Sequence, residues 1–473
     1  MLFVGIDVGT AGARVAVLGT DGEPAREARH SFEAEVPGLS PGWAEQRTEV
    51  WWPAVCDCFR ELGPLRGQIG GVSATSTSGT FLLVDAALQP VRPAIMYNDA
   101  RAAEQTKRLA PYAARHAERC GFGFPSTFAL PKLLWLAEHE PRALSGTRLM
   151  HAGDYILSKL LADRPPADHS TALKTGCDPV SGTWPEWFAD AGVPLDVLPE
   201  LAPSGSLAGC VSAAAAKETG LPEGTPVALG ASDGVATMVG AGAARPGDWA
   251  AMLGTTLVVR GISRGIVRDP DGRVYSHRHP EGLWLPGGAS NVGGECLERW
   301  FPGANLAETD RRAAELLPTQ LLAYPLARVG ERLPFASATA QGFLNAEGRS
   351  DTERYAACLQ GVAMVERWIY DLMRELGAEV GDTVYAGGAG SKSPLWTQLR
   401  ADVTGRTYRV CVLPTGAAGA AILAAAHALG GLRKATERLT QPAAEYRPNP
   451  QRRDVYTGLY GRFREECARR GLG

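Results

Sequence analysis

Several short stretches carry residue types that can handle phosphate and protons. Asp7-Val-Gly-Thr-Ala-Gly-Ala-Arg14 puts an acid, two glycines, a threonine and a base around one bend. Backbone N–H groups freed by Gly9, Thr10 and Gly12 can cradle phosphate oxygens. The Asp7 carboxylate beside them can hold the Mg2+ that accompanies polyphosphate. An ordinary hairpin is the other reading of the same residues. Gly254-Thr255-Thr256 repeats Gly-Thr in a second bend, and two such bends facing each other would clamp a polyphosphate. Asp233, in Ala231-Ser-Asp-Gly234, stands where a strand gives way to a helix. There it is either an N-cap or an acid directed into a cleft.

Other stretches suit ligands without charge chemistry of their own. Thr75-Ser-Thr-Ser-Gly-Thr80 gathers small hydroxylated residues, as a polar turn or a polyhydroxylated ligand would require. Gly387-Gly388-Ala389-Gly390 lets backbone approach a flat ring closely. Ser393 and Pro394 then suit an N-cap and first helical position. Gly416 to Gly419 either walls the same ring site or packs a helix tightly. The glycine loop is not a Walker P-loop, because no GK[ST] closes it, and no GxGxxG follows the first strand.

The elements that must position these residues alternate strands and helices. Leu2-Phe3-Val4-Gly5-Ile6 and Val15-Ala16-Val17-Leu18 flank the first bend, and Trp249-Ala-Ala-Met-Leu253 and Leu257-Val258-Val259-Arg260 flank the second. Each half of the chain therefore begins with strand, Gly-Thr turn and strand. Helical spacing is expected from Thr48 to Leu62, in a charged segment containing Arg101, from Phe128 to Glu138, from Asp154 to Leu161 and from Tyr355 to Leu376. The loop from Trp284 to Gly294 enters a helix near Trp300. The turn-rich stretch from Gly176 to Trp184 reads as a surface connection, and the end of the chain as a charged helical segment on the surface.

At 473 residues the chain calls for two to three domains. A net charge of −3 gives no electrostatic case for nucleic acid or an anionic membrane. There is no charge-free apolar stretch long enough to span a bilayer and no leader-like start, so a cytoplasmic protein is expected. The nine cysteines show no CxxC spacing and read as free buried thiols. His277-Arg-His279 reads as a solvated strand face rather than a metal site.

Taken together these motifs resemble the FGGY family of carbohydrate kinases. Gly5-Ile-Asp-Val-Gly-Thr10 and Gly254-Thr-Thr256 are similar to its two phosphate motifs, and Gly387-Gly-Ala-Gly390 with Ser393-Pro-Leu-Trp396 to its adenosine motif. Ala231-Ser-Asp-Gly234 resembles the segment that bears its catalytic base. Trp43-Ala-Glu-Gln46 and the Asp154-Tyr-Ile helix also match family patterns. The resemblance implies an α/β fold of two actin-like, ribonuclease H-like domains that close over a central cleft. It implies residues 1–244 for sugar, base and first phosphate motif, and 245–473 for ATP.

Further implications concern roles. Asp233 would be the catalytic base, and Asp7 would hold Mg2+ through water. Asp7, Thr77, Ser78 and Asp233 would meet the sugar. ATP would be met by Gly9, Thr10, Arg14, Gly254, Thr255, Thr256, Gly294, Gly387, Gly388, Ala389, Gly390 and Ser393. Within the family, Thr75–Thr80 with Met96-Tyr-Asn-Asp99 looks most like D-ribulose kinases. The Met-His-Thr-Gly motif of xylulose kinases is missing, as is the Arg-Glu pair of glycerol kinases. A xylulose or other pentulose or polyol kinase is the alternative, and an actin-like ATPase or sugar sensor the rival of another class. Partners are expected to be the sugar and ATP, and the chain a monomer or homodimer.

Overall fold

Alternation along the first strand sets the architecture of the first unit. The computed structural model describes residues 1–473. β1 (Leu2–Gly9) is antiparallel to β2 (Gly12–Gly19), which is antiparallel to β3 (Pro24–Ser31). On its other side β1 runs parallel to β4 (Ile69–Ser76). β5 (Leu207–Cys210) and β6 (Pro226–Ala228) complete the sheet, in the order β5-β6-β4-β1-β2-β3. Successive side chains of a strand face opposite sides. Val4, Ile6 and Val8 therefore join Trp51, Val55 and Phe59, from the helix Trp51–Glu61, in one core. Gly5 faces the other way, where a Cβ would lie 1.9 Å from Ala417 O in the helix Gly416–Ala426. Only glycine lets that helix sit so close. Gly419 makes the same allowance toward Ala236, and Gly240 toward Thr415.

That packing explains a departure from the continuous division expected at 244/245. The first compact unit comprises 1–240, 276–283 and 415–441, and the second comprises 241–275, 284–414 and 442–473. The helix Gly416–Ala426 lies beyond the glycine loop in sequence, yet its Gly and Ala residues are all buried in the first unit.

The second unit repeats the first one's strand directions. β7 (Trp249–Leu253) is antiparallel to β8 (Leu257–Gly261), and β8 to β9 (Trp284–Ser290). β7 is parallel to β10 (Thr383–Gly387), and β10 to β11 (Thr407–Cys411), with β12 (Pro442–Tyr446) antiparallel at the edge. Read outward from the central pair, both sheets show one parallel step, then an antiparallel edge, with an antiparallel meander on the opposite side. The repeated hairpin in the sequence is thus the visible part of a repeated topology. Against this second sheet packs the long helix Asp351–Glu375, whose Glu366 forms a fully buried ion pair with Arg400 at 2.6 Å. Tyr408 and Tyr370 hydroxyls donate to the same carboxylate, so the pair is hydrogen-bonded as well as matched in charge.

Four sequence expectations change here. Arg101 lies in the turn before the helix Ala103–Cys120 rather than within it. The stretch from Gly176 to Trp184 buries Cys177 and Asp178. The C-terminal region contributes strand β12, and its helix Arg453–Arg469 buries Tyr456, Leu459 and Phe463. His277 and His279 are buried, and burial pushes the His279 imidazole down to about 4. No cluster of three or more metal-binding side chains forms. The nine cysteines are free, with Cys210 the exposed one. No helix is long and apolar enough to cross a membrane.

Candidate functional site

Because Asp7 is two residues beyond Gly5, it points to the same face of β1. That places it at the start of the helix Gly416–Ala426, which Thr415 caps by accepting from Ala418 N–H at 3.2 Å. A Cβ on Gly416 would stand 3.0 Å from Asp7 Oδ2 and 3.5 Å from Thr237 Oγ1. Asp7 also pairs in register with Arg14 across the hairpin. Burial, with the Asp233 charge adding to it, pushes the Asp7 carboxyl up to about 6, while Arg14 opposes the shift. Two carboxylates that repel each other in a recess with one arginine lack positive charge, and a hydrated divalent cation supplies it. The donor set therefore fits Mg2+ held through Asp7. The Gly416 reading as a ring wall gives way, because Gly416 and Gly419 are buried against Asp7 and Ala236.

Asp233 opens the helix Asp233–Ala241. The N-cap position belongs to Ser232, whose carbonyl accepts from Val235 and Ala236 N–H, both at 2.9 Å. The Asp233 side chain accepts from Gly234 N–H at 2.8 Å. The junction is fixed from behind. Ser232 N–H donates to Ser170 Oγ at 2.8 Å, Ser170 donates to Asp168, and Thr75 Oγ1 donates to Ala231 O at 2.6 Å. The end of β4 and the Asp233 turn are therefore stitched together within the first unit. Asp7, Arg14 and Asp233 are brought into one electrostatic neighbourhood.

The hydroxyl-rich loop follows β4. Thr77 Oγ1 bonds Thr80 Oγ1 at 2.8 Å, and the Ser78 side chain is buried. Two lysines that sequence reading passed over hold this loop by its carbonyls. Lys174 Nζ donates to Ser78 O at 3.1 Å, and Lys132 Nζ to Gly79 O at 3.2 Å and Met96 O at 2.7 Å. Lys132 is fully buried, and burial pushes its amine down to about 7 although Asp99 favours the charge. One lysine inside the apolar run of the helix Ala129–His139 was the signal available.

Trp43-Ala-Glu-Gln46 also has a physical use. Arg101 lies over Trp43 at 3.9 Å and Trp135 at 4.9 Å, and pairs with Asp99 at 2.8 Å and Glu45 at 2.7 Å. Gln46 donates to Thr10 O at 2.7 Å, tying this cluster to the first glycine turn.

In the second unit, the Gly254 turn, Gly294 and the Gly387 loop form a separate group. Gly254 N–H donates to Thr256 O at 3.0 Å, so this expected phosphate donor is engaged within its own bend. Gly294 N–H donates to Gly254 O at 2.7 Å and Glu295 N–H to Thr255 O at 3.2 Å, fixing the turn. Gly388 has φ of +80°, and a Cβ there would lie 2.5 Å from Leu253 O. The glycine loop thus needs its glycines to lie on β7, with Gly388 and Ala389 exposed beside it. Ser393 caps the helix Pro394–Thr404 and donates to Asp310 at 2.7 Å, so its hydroxyl has a structural task.

Comparison with known proteins is consistent along the whole chain. The model of the N-terminal domain of the FGGY family of carbohydrate kinases matches residues 2–240, and that of its C-terminal domain matches 249–428. A xylulose kinase of Streptomyces rubiginosus is 30% identical over 91% of this chain and 88% of its own length. One from Bacillus subtilis is 26% identical over 98% of this chain and 95% of its own. The crystal structure of a xylulose kinase from Rhodospirillum rubrum, 27% identical, covers 99% of this chain and 98% of its own with a TM-score of 0.88.

Proposed function

The chain belongs to the FGGY family of carbohydrate kinases, and on that premise we propose that it transfers the γ-phosphoryl group of ATP to the terminal hydroxyl of a ketopentose. The observation that carries this reading is the carboxylate pair Asp7 and Asp233, set at one sheet end beside the hydroxyl-rich loop. Phosphoryl transfer asks the protein for positioning, charge neutralisation and a base. Asp233 takes the proton of the attacking hydroxyl. Thr77 and Ser78 orient the sugar. Backbone N–H groups at Gly9, Thr10, Thr255 and Thr256 receive phosphate oxygens. Mg2+ at Asp7, when bound, would neutralise charge on the phosphates.

D-xylulose is the substrate to test first, because the relatives compared above are xylulose kinases. The D-ribulose reading drawn from the loop is thereby demoted to second place. One observation keeps it there: the hydroxyl-rich loop Thr75–Thr80 holds no Met-His-Thr-Gly run, the motif whose absence sets the chain apart from xylulose kinases. Coupled ADP-release assays on D-xylulose, D-ribulose, other pentuloses and polyols, with the product identified by phosphorus NMR, decide between them. ATP hydrolysis with no sugar phosphate in any arm would reject the kinase reading in favour of an ATPase.

A further inference from the structure

At the other end of the second sheet from the Gly387 loop lies a polar cavity of about 490 Å3. That volume suits a small molecule. Asp382 and Arg406, just before β10 and β11, border it. Gly387 ends β10, so the cavity is one five-residue strand, roughly 16 Å, from the glycine loop. Arg367, Arg374, Arg406 and Arg453 face it together with Asp371 and Asp402.

The acids are largely paired, while three of the arginines have no carboxylate partner. Asp371 accepts from Arg374 at 2.9 Å and from the Tyr460 hydroxyl at 2.7 Å. Asp402 accepts from Gln398 and from Asn449 N–H, both at 2.8 Å, with Arg452 at 3.4 Å. Asp382 is exposed at the rim. Arg367 donates to Val403 O at 3.2 Å and stacks on Tyr460, without a carboxylate. Arg406 is 3% exposed, and its guanidinium bonds Gly381 O, yet its Nε has no partner. Arg453 pairs with no acid and opens the helix Arg453–Arg469, whose N-terminal dipole adds positive potential. Burial and the neighbouring charges of Arg374 and Arg453 hold the Arg367 guanidinium below its usual range. Leaving a buried charged donor unpaired is costly, and guanidinium forks match phosphate oxygens.

We propose that this cavity binds a phosphate monoester, with Arg367, Arg406 and Arg453 on the phosphate and Pro448 and Pro450 against the organic part. The experiment is calorimetric titration of the full chain, saturated with a non-hydrolysable ATP analogue and sugar. Ribose 5-phosphate and inorganic phosphate are titrated separately, with chloride as control. Binding of ribose 5-phosphate with a Kd below about 1 mM is expected, weakened about tenfold or more in both Arg367→Gln and Arg453→Gln. Sugar kinase activity should stay within about twofold in each variant, since neither residue belongs to the phosphoryl-transfer site. Inorganic phosphate binding equally well supports recognition through the phosphate alone, and weaker binding supports a role for the apolar floor. No heat above the chloride control, or titrations unchanged in both variants, overturns the proposal. If Arg367→Gln fails to fold, Arg453→Gln decides by itself, because its side chain joins no ion pair in the protein.

Discussion

Asp7 Oδ2 lies 3.0 Å from the point that a Cβ on Gly416 would occupy. An acid in the first strand and a glycine near the far end of the sequence are thus direct neighbours in one recess. A methyl group at Gly416 would intrude on the carboxylate that we assign to Mg2+. Asp7→Ala is expected to lower turnover with Mg-ATP by about 10²-fold or more and to raise the Mg2+ concentration giving half-maximal rate. A steady-state rate series against Mg2+ checks this; an unchanged metal dependence removes Asp7 from the role.

Asp233→Ala is expected to reduce kcat by about 10²-fold or more while ATP binding stays near the starting value. Stopped turnover and nucleotide titration read the two quantities separately. Near-normal turnover would mean that another group accepts the proton.

Lys132→Met keeps the volume of a fully buried side chain but removes the donors to Gly79 O and Met96 O. The loop that carries Thr77 and Ser78 should loosen, raising KM for the sugar about tenfold with KM for ATP little changed. An equal rise in both constants would show a general loss of fold rather than a loop effect.

Lys132 also predicts a pH effect on stability. Its folded pKa, lowered to about 7 by burial, lies below the unfolded value of 10.5. Below pH 7 the folded state carries the full cost of a buried charge. Between pH 7 and 10.5 the unfolded chain binds more protons, so stability rises with pH there. Lys132→Met removes this term. Denaturant melts of the two proteins should therefore show the wild type gaining on the variant across that window, by ~2–4 kcal/mol. Parallel pH profiles would contradict the assignment.

Two glycine substitutions should act in opposite directions. Gly419→Ala drives a Cβ to within 1.7 Å of Ala236 O, both atoms being fixed by backbone packing. A loss of about 2–3 kcal/mol or more is expected. Gly458, in the helix Arg453–Arg469, has nothing near its Cβ direction. Gly458→Ala should add up to about 1 kcal/mol. Thermal melts of both variants give the comparison, and equal shifts would contradict the packing described.

The sequence by itself determined the strands that flank the two Gly-Thr bends, the bends themselves and the identities of the acids. Those features are local: alternation, turn residues and helical spacing act over a few neighbours. Strand alternation also puts Asp7 on the same side of β1 as Gly5, but that this side admits a helix is seen only in the contact of Gly5 with Ala417. Tertiary structure decided what stands on that face. Gly416 to Gly419 fits two uses from local pattern alone, and only the contacts of Gly5, Gly240 and Ala236 with that helix select tight packing. Likewise Lys132 reads as one charge in an apolar helix until folding brings Gly79 O and Met96 O to its amine. The arginines facing the far cavity come from a long helix, a strand entrance and the C-terminal helix. Contacts between residues so far apart in sequence leave no periodic trace in it, because chain closure rather than neighbour spacing creates them.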